Sequence, residues 1–285
     1  MAEPSEGEPV EGCHSSVVFS DDRQWAGHLA AFVRSGLARG RRVQYFADTT
    51  DPERVLAALT DAGIDAAGAV ARGQLSLSVA TQTYLAGSGF DPDAMIGLWQ
   101  EAVDEAGASG YPGVWAIGEM SWANRDVAGA DRLLEYELRI HHEVFARLPL
   151  TAWCFYDRRL MSDACVDVLA SAHLTHRGES HAAPALWLAP LADRPGLRMS
   201  GSAGYDTRDT VAAAAAVVSG AQTPRAELDL AAVRHLDAAS LAVLTGGAAG
   251  RPDGPPLRIR QPPPSLRRLL QLFPEFDASV EVVDR

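Results

Sequence analysis

The sequence predicts an α/β protein: a parallel sheet wrapped by helices, followed by a second, smaller α/β domain. Three observations carry this. Short β-like runs alternate with amphipathic helical stretches through residue 176, the stretch 177–195 mixes proline, alanine and polar residues without sustained periodicity, and shorter strand–helix units resume after it. The domain reading is a disordered acidic tail at 1–12, a large domain at 13–176, a linker at 177–195 and a small domain at 196–285.

The elements follow in order. Ser16–Phe19 is a first strand, and Asp21 or Asp22 caps a helix through Leu37, with Trp25, Leu29, Phe32 and Val33 at helical spacing and Gly40 closing it. Val43–Ala47 is a second strand ending at Asp48, and Asp51-Pro52 opens a helix whose apolar face holds Leu56 and Leu59. Gln74–Val79 alternates as a third strand. Asp91-Pro92 starts a helix that runs through Trp99 and Val103 to the turn near Gly107. Val114–Ile117 is a fourth strand, Ala130–Leu148 a long helix, Thr151–Tyr156 a fifth strand ending at Asp157, and Asp163–His173 a closing helix. In the second domain, strands are expected at Leu197–Gly201, Glu227–Leu230, Leu257–Arg260 and Ser279–Val283. Helices are expected at Asp209–Val218, Ala238–Leu244 and Ser265–Leu272, with Gly246–Pro256 a mobile loop.

Composition narrows the chemistry. All 25 basic residues are arginine, which removes the phosphate-loop lysine, Schiff-base chemistry and lysine general bases. A net charge of −12 opposes nucleic acid and anionic lipid as partners. The apolar runs are too short to span a membrane, and the first twelve residues carry four glutamates rather than the apolar core of a signal peptide. Cys13, Cys154 and Cys165 are odd in number with no CxxC spacing, so a reduced, cytoplasmic setting is expected.

Open α/β sheets bind ligands at the carboxyl ends of their strands, and Val114–Gly118 breaks at once into Glu119-Met120-Ser121-Trp122. Glu119 is therefore read as hydrogen-bonding a ligand, against the plainer reading of a carboxylate capping a helix. Trp122 and Tyr84 are read as flat pocket walls, against core packing. Asp48 and Asp157 end strands on the same expected rim, and His14 lies near the sheet mouth. Ser20-Asp21-Asp22-Arg23-Gln24 has no glycine and two carboxylates where a nucleotide phosphate would sit. Glu137 and His141 lie four apart with His142 beside them, a spacing a metal could use, yet no second pair has suitable spacing and a solvated helix face explains all three, so no metal and no cofactor are assigned.

Several of these motifs resemble the MEDS domain, a sensory domain named from methanogens and methylotrophs. They are Cys13-His14, Gly36-Leu37-Ala38-Arg39-Gly40, Gly73-Gln74-Leu75, and Tyr84 with Gly89-Phe90-Asp91. Gly110-Tyr111, Gly118-Glu119-Met120-Ser121-Trp122, Tyr136-Glu137 and Cys154-Phe155-Tyr156-Asp157 complete the set. The resemblance covers about residues 13–176 and implies a RecA-like fold without a working phosphate loop, sensing a small, hydrocarbon-like ligand. Arg41-Arg42 departs from the Gly-Glu pair expected after the Gly40 turn.

Leu228-Asp229-Leu230, then His235-Leu236-Asp237-Ala238-Ala239-Ser240, resembles the STAS domain of anti-sigma-factor antagonists. That likeness implies docking to an anti-sigma factor or sensor kinase through Asp237, Ala238, Ser240 and Leu241. The family's phosphorylated serine or threonine is here Ala238, so switching by phosphate at that position is not expected; Ser240 lies one turn on. The whole reads as a non-catalytic signalling protein. The alternative is a degenerate RecA-like nucleotide-binding protein or NTPase with Glu119 as its activating carboxylate.

Overall fold

The computed structural model describes residues 9–87, 89–220, 226–249 and 256–283. By internal packing the chain forms two units. The first holds the chain up to Leu133 with Glu143–Val166 and Thr175–His181, and the second holds the remainder.

In the first unit β1 (His14–Phe19), β2 (Arg42–Ala47), β3 (Leu75–Val79), β4 (Val114–Glu119), β5 (Leu150–Asp157) and β6 (Thr175–Gly178) build one sheet. Its order is β3-β2-β4-β5-β1-β6, and every pairing is parallel. All eight residues of β5 are buried, as expected of a central parallel strand whose hydrophobicity is nearly continuous.

The helices up to residue 171 are α1 (Asp22–Ala38), α2 (Pro52–Asp61), α3 (Ala66–Ala71), α4 (Pro92–Ala108), α5 (Leu133–Ile140) and α6 (Asp163–Ser171), of which α5 beyond Leu133 and α6 beyond Val166 belong to the second unit. Aspartate starts each of the first four. Asp21, Asp51, Asp65 and Asp91 each accept a backbone N–H of the first turn. Phe32 of α1 inserts between Trp115 and Trp153, with ring centroids 5.1 and 4.9 Å away. Gly36 allows that approach, since a Cβ there would stand 2.8 Å from Val43 Cγ2.

Three expectations are corrected. The long helix at 130–148 is α5 alone, preceded by a 3-10 turn at Ala130–Arg132 and followed by a π turn at His141–Phe145. The apolar spacing runs on through the widened turn, so periodicity does not register it. The helix α3 was not expected, its six small residues giving little pattern. The stretch read as a linker contains the end of β6 and a further strand, β7 (Leu186–Pro190). Both are too short for a two-residue repeat to stand out, and Pro190 is tolerated because β7 lies at a sheet edge.

The second unit's sheet has the order β11-β10-β9-β8-β7, with β8 (Gly196–Ala203), β9 (Glu227–Leu236), β10 (Leu257–Arg260) and β11 (Val280–Val283) parallel and β7 antiparallel. This unit also holds the helices α7 (Arg208–Ser219), α8 (Ala238–Ala249) and α9 (Pro264–Leu272). β9 reaches six residues past its expected end. A register shift against β8 breaks the alternation, so buried positions step from Leu230 to Val233. The expected acidic tail and glycine-rich loop fall partly outside the described residues, at 1–8 and 250–255. Among the described residues no helix is long and apolar enough to cross a membrane.

Candidate ligand-binding site

Strands β1, β4 and β5 end at Phe19, Glu119 and Asp157 on one rim of the parallel sheet. There they enclose a cavity of about 380 Å³, within the range of small-molecule sites. Phe19, Trp25 and Phe155 supply its apolar lining, Thr49, Thr50 and Ser121 its hydroxyls, and Asp22, Arg54, Asp157 and Arg159 its charges.

Glu119 lines this cavity and is only 5% exposed. One carboxylate oxygen accepts the backbone N–H groups of Asp48, Thr49 and Thr50 at 2.7, 3.0 and 3.2 Å. The other accepts the Tyr45 hydroxyl at 2.5 Å, and Tyr45 in turn accepts the Trp25 indole N–H at 3.1 Å. Four donors on one carboxylate satisfy its burial and fix the loop from β2 to α2 as the cavity wall.

The start of α1 is closed to phosphate by its own side chains. Asp21 accepts Gln24 N–H at 2.7 Å, and Gln24 Oε1 accepts Ser20 N–H at 2.8 Å. Glu179 accepts the Ser20 hydroxyl at 2.5 Å and the Gln24 amide at 2.9 Å. Two backbone donors that a nucleotide loop would present are thus spent, and a further carboxylate stands beside them.

Of the residues singled out in the sequence, Glu119 and Asp157 meet at this cavity. Asp157 forms a two-pronged pair with Arg159, whose Nε and terminal nitrogen lie at 2.9 and 2.6 Å. Asp48 turns away. Its carboxylate accepts the Ser121 hydroxyl at 2.6 Å, pairs with Arg125 and is fully enclosed. Trp122 is 0% exposed and packs against Tyr84 and Phe90 at centroid distances of 6.0 and 4.8 Å. Trp122 is core and Tyr84 half-buried against it, and neither lines this cavity. His14 begins β1, five residues and about 16 Å from the rim. It contacts Cys154 Sγ at 3.1 Å and stacks on Phe145. The rule that ligands sit beyond strand ends points to the missed Phe19, Asp22, Thr49, Thr50 and Arg159, all within three residues of a strand terminus.

Burial, reinforced by the Glu119 charge and hydrogen bond, pushes the Tyr45 hydroxyl well above its ordinary value. Burial and then the Asp48 charge do the same to Tyr84. A raised folded-state value means the unfolded chain ionises first, so stability is complete below the ordinary tyrosine pKa and falls as pH rises past about 10. Alkaline denaturation should therefore be shallower for the Tyr45→Phe/Tyr84→Phe double variant than for the parent. Equal slopes, followed by tyrosinate absorbance, would refute this assignment.

Glu137 is not on a solvated face as the helix pattern suggested. It is fully buried, with His173 Nε2 3.6 Å from its carboxylate.

In the second unit Asp237 caps α8, accepting Ser240 N–H at 2.7 Å. Ala238 and Ala239 are exposed at the helix start. Ser240 and Leu241, expected as contact residues, are corrected to interior positions at 5% and 0% exposure. Once Asp237 fixes the cap, the 3.6-residue period turns both inward.

The family described as MEDS, the methanogen/methylotroph, DcmR sensory domain, matches residues 13–176. The chain belongs to the MEDS family. Residues 190–274 match a second family described as "Mlab, STAS domain". The two together fit a signalling or regulatory role. No curated protein matches the chain. Among solved structures, a DUF1998 helicase, MrfA bound to DNA and AMPPNP, aligns at TM-score 0.35 and 9% identity, over 95% of this chain. The chain spans 39% of that helicase's length.

Proposed function

We propose that this MEDS-family chain is a non-catalytic cytoplasmic signalling protein. Its first unit senses a small, largely apolar ligand, and its STAS-like unit docks an anti-sigma factor or sensor kinase. The observation that carries the reading is the rim cavity standing beside a helix start already capped by Asp21 and Gln24. That arrangement offers a recognition pocket where a nucleotide-binding α/β domain would hold phosphate. Ligand acts on the partner only if it favours one docking state over the other.

The exposed Ala238 at the start of α8 is the contact position. The full chain should bind an anti-sigma-factor kinase from its own genome by calorimetry, and Ala238→Arg should abolish the heat while leaving the melting temperature unchanged. Equal binding by parent and variant would remove α8 from the docking surface.

A further inference from the structure

The charged groups at the cavity mouth are arranged around one carboxylate. Asp22 Oδ1 accepts a terminal nitrogen of Arg159 at 2.7 Å, and its Oδ2 lies 2.7 Å from a terminal nitrogen of Arg54. Both arginines are fixed from behind. The Arg54 guanidinium stacks over Trp25 at 5.2 Å, and Arg159 is held two-pronged by Asp157. Two arginines at one mouth thus clamp one carboxylate beside a cavity of mixed lining, its apolar part formed by Phe19, Trp25, Phe155 and Leu160.

That carboxylate is weakly held. Asp22 is the first residue of α1, its side chain 59% exposed, and the helix cap is the neighbouring Asp21. Exposed ion pairs contribute little, so Asp22 can turn into water without loss of the helix start. The hydrogen bonds from Arg159 and Arg54 hold its pKa below the ordinary range, the behaviour of a clamp suited to an ionised carboxylate. The other two carboxylates at the cavity are spoken for, Glu119 by four donors and Asp157 by Arg159.

We infer that the cavity takes a small organic acid whose carboxylate replaces Asp22 between Arg54 and Arg159 while its apolar chain enters against Phe19 and Phe155. Asp22 is then a built-in placeholder that competes with the ligand. This rests on the cavity being the sensing site, and it adds the chemical class of what is sensed.

The test uses the full chain with hexanoate, hexan-1-ol and acetate, read by melting shift and titration. Hexanoate should stabilise the parent saturably; hexan-1-ol, which lacks the charge, and acetate, which lacks the chain, should not at equal concentration. Asp22→Asn should bind hexanoate about tenfold more tightly, and Arg54→Gln about tenfold more weakly, the effect of one hydrogen bond to a charged group. If hexan-1-ol shifts the parent as much as hexanoate, the acid class is overturned while the cavity stands as a site. Should no probe shift it, both fall. Unchanged hexanoate affinity in Asp22→Asn or Arg54→Gln overturns the clamp.

Discussion

Glu119→Ala should cost about 3–5 kcal/mol of folding stability, among the largest losses open to a single substitution in this chain. The variant leaves the N–H groups of Asp48, Thr49 and Thr50 and the Tyr45 hydroxyl without their acceptor, in a place the side chain keeps buried. A net hydrogen bond to a charged group contributes about 1.5–3 kcal/mol, and an orphaned buried donor adds its own desolvation cost. Glu119→Gln should fall between parent and alanine variant, since its one carbonyl oxygen still accepts. Urea denaturation midpoints give the ordering. An alanine variant as stable as the parent would mean that Glu119 faces the cavity as a ligand group and carries little of the fold.

Trp122→Ala should lose a comparable amount, about 3–5 kcal/mol, by the cavity it opens between Tyr84 and Phe90. The indole is 0% exposed and is not among the groups that line the cavity. A ligand that stabilises the parent should therefore still stabilise Trp122→Phe, which keeps the ring packing and most of the volume. Loss of ligand binding in Trp122→Phe with its stability intact would return Trp122 to the pocket wall.

These two residues show what was legible in the sequence and what was not. The run from Val114 to Trp122 marked a strand end, and the strand does end at Glu119 on the cavity rim. Position along a strand is written in the sequence because burial and turn chemistry are local. The direction in which a side chain points beyond that end depends on neighbouring strands. Tyr45, on β2, and the loop after it claim Glu119, and nothing in residues 114–122 announces them. Asp48 and Asp157 make the same point in opposite senses. Both end strands on one rim, yet Ser121 and Arg125 draw Asp48 away while Arg159 holds Asp157 at the mouth.

The aspartate caps of α1, α2 and α4 were legible, since each cap and its helix lie within a few residues. The strands β6 and β7 were not, because four or five residues carry too little pattern, and the partner of β6, β1, is distant in sequence. In the second unit the helix start after Asp237 was visible, but which α8 residues are buried follows from where the Asp237 cap sets the helical phase.

The central claim is that the sheet's rim recognises a small molecule at a helix start that refuses phosphate. Calorimetric titration of the full chain with magnesium ATP tests it most directly. The account predicts no binding heat, because Asp21, Gln24 and Glu179 already occupy the donors and place carboxylates where phosphate would lie. Stoichiometric binding of magnesium ATP, lost on changing Asp21 or Gln24, would contradict it.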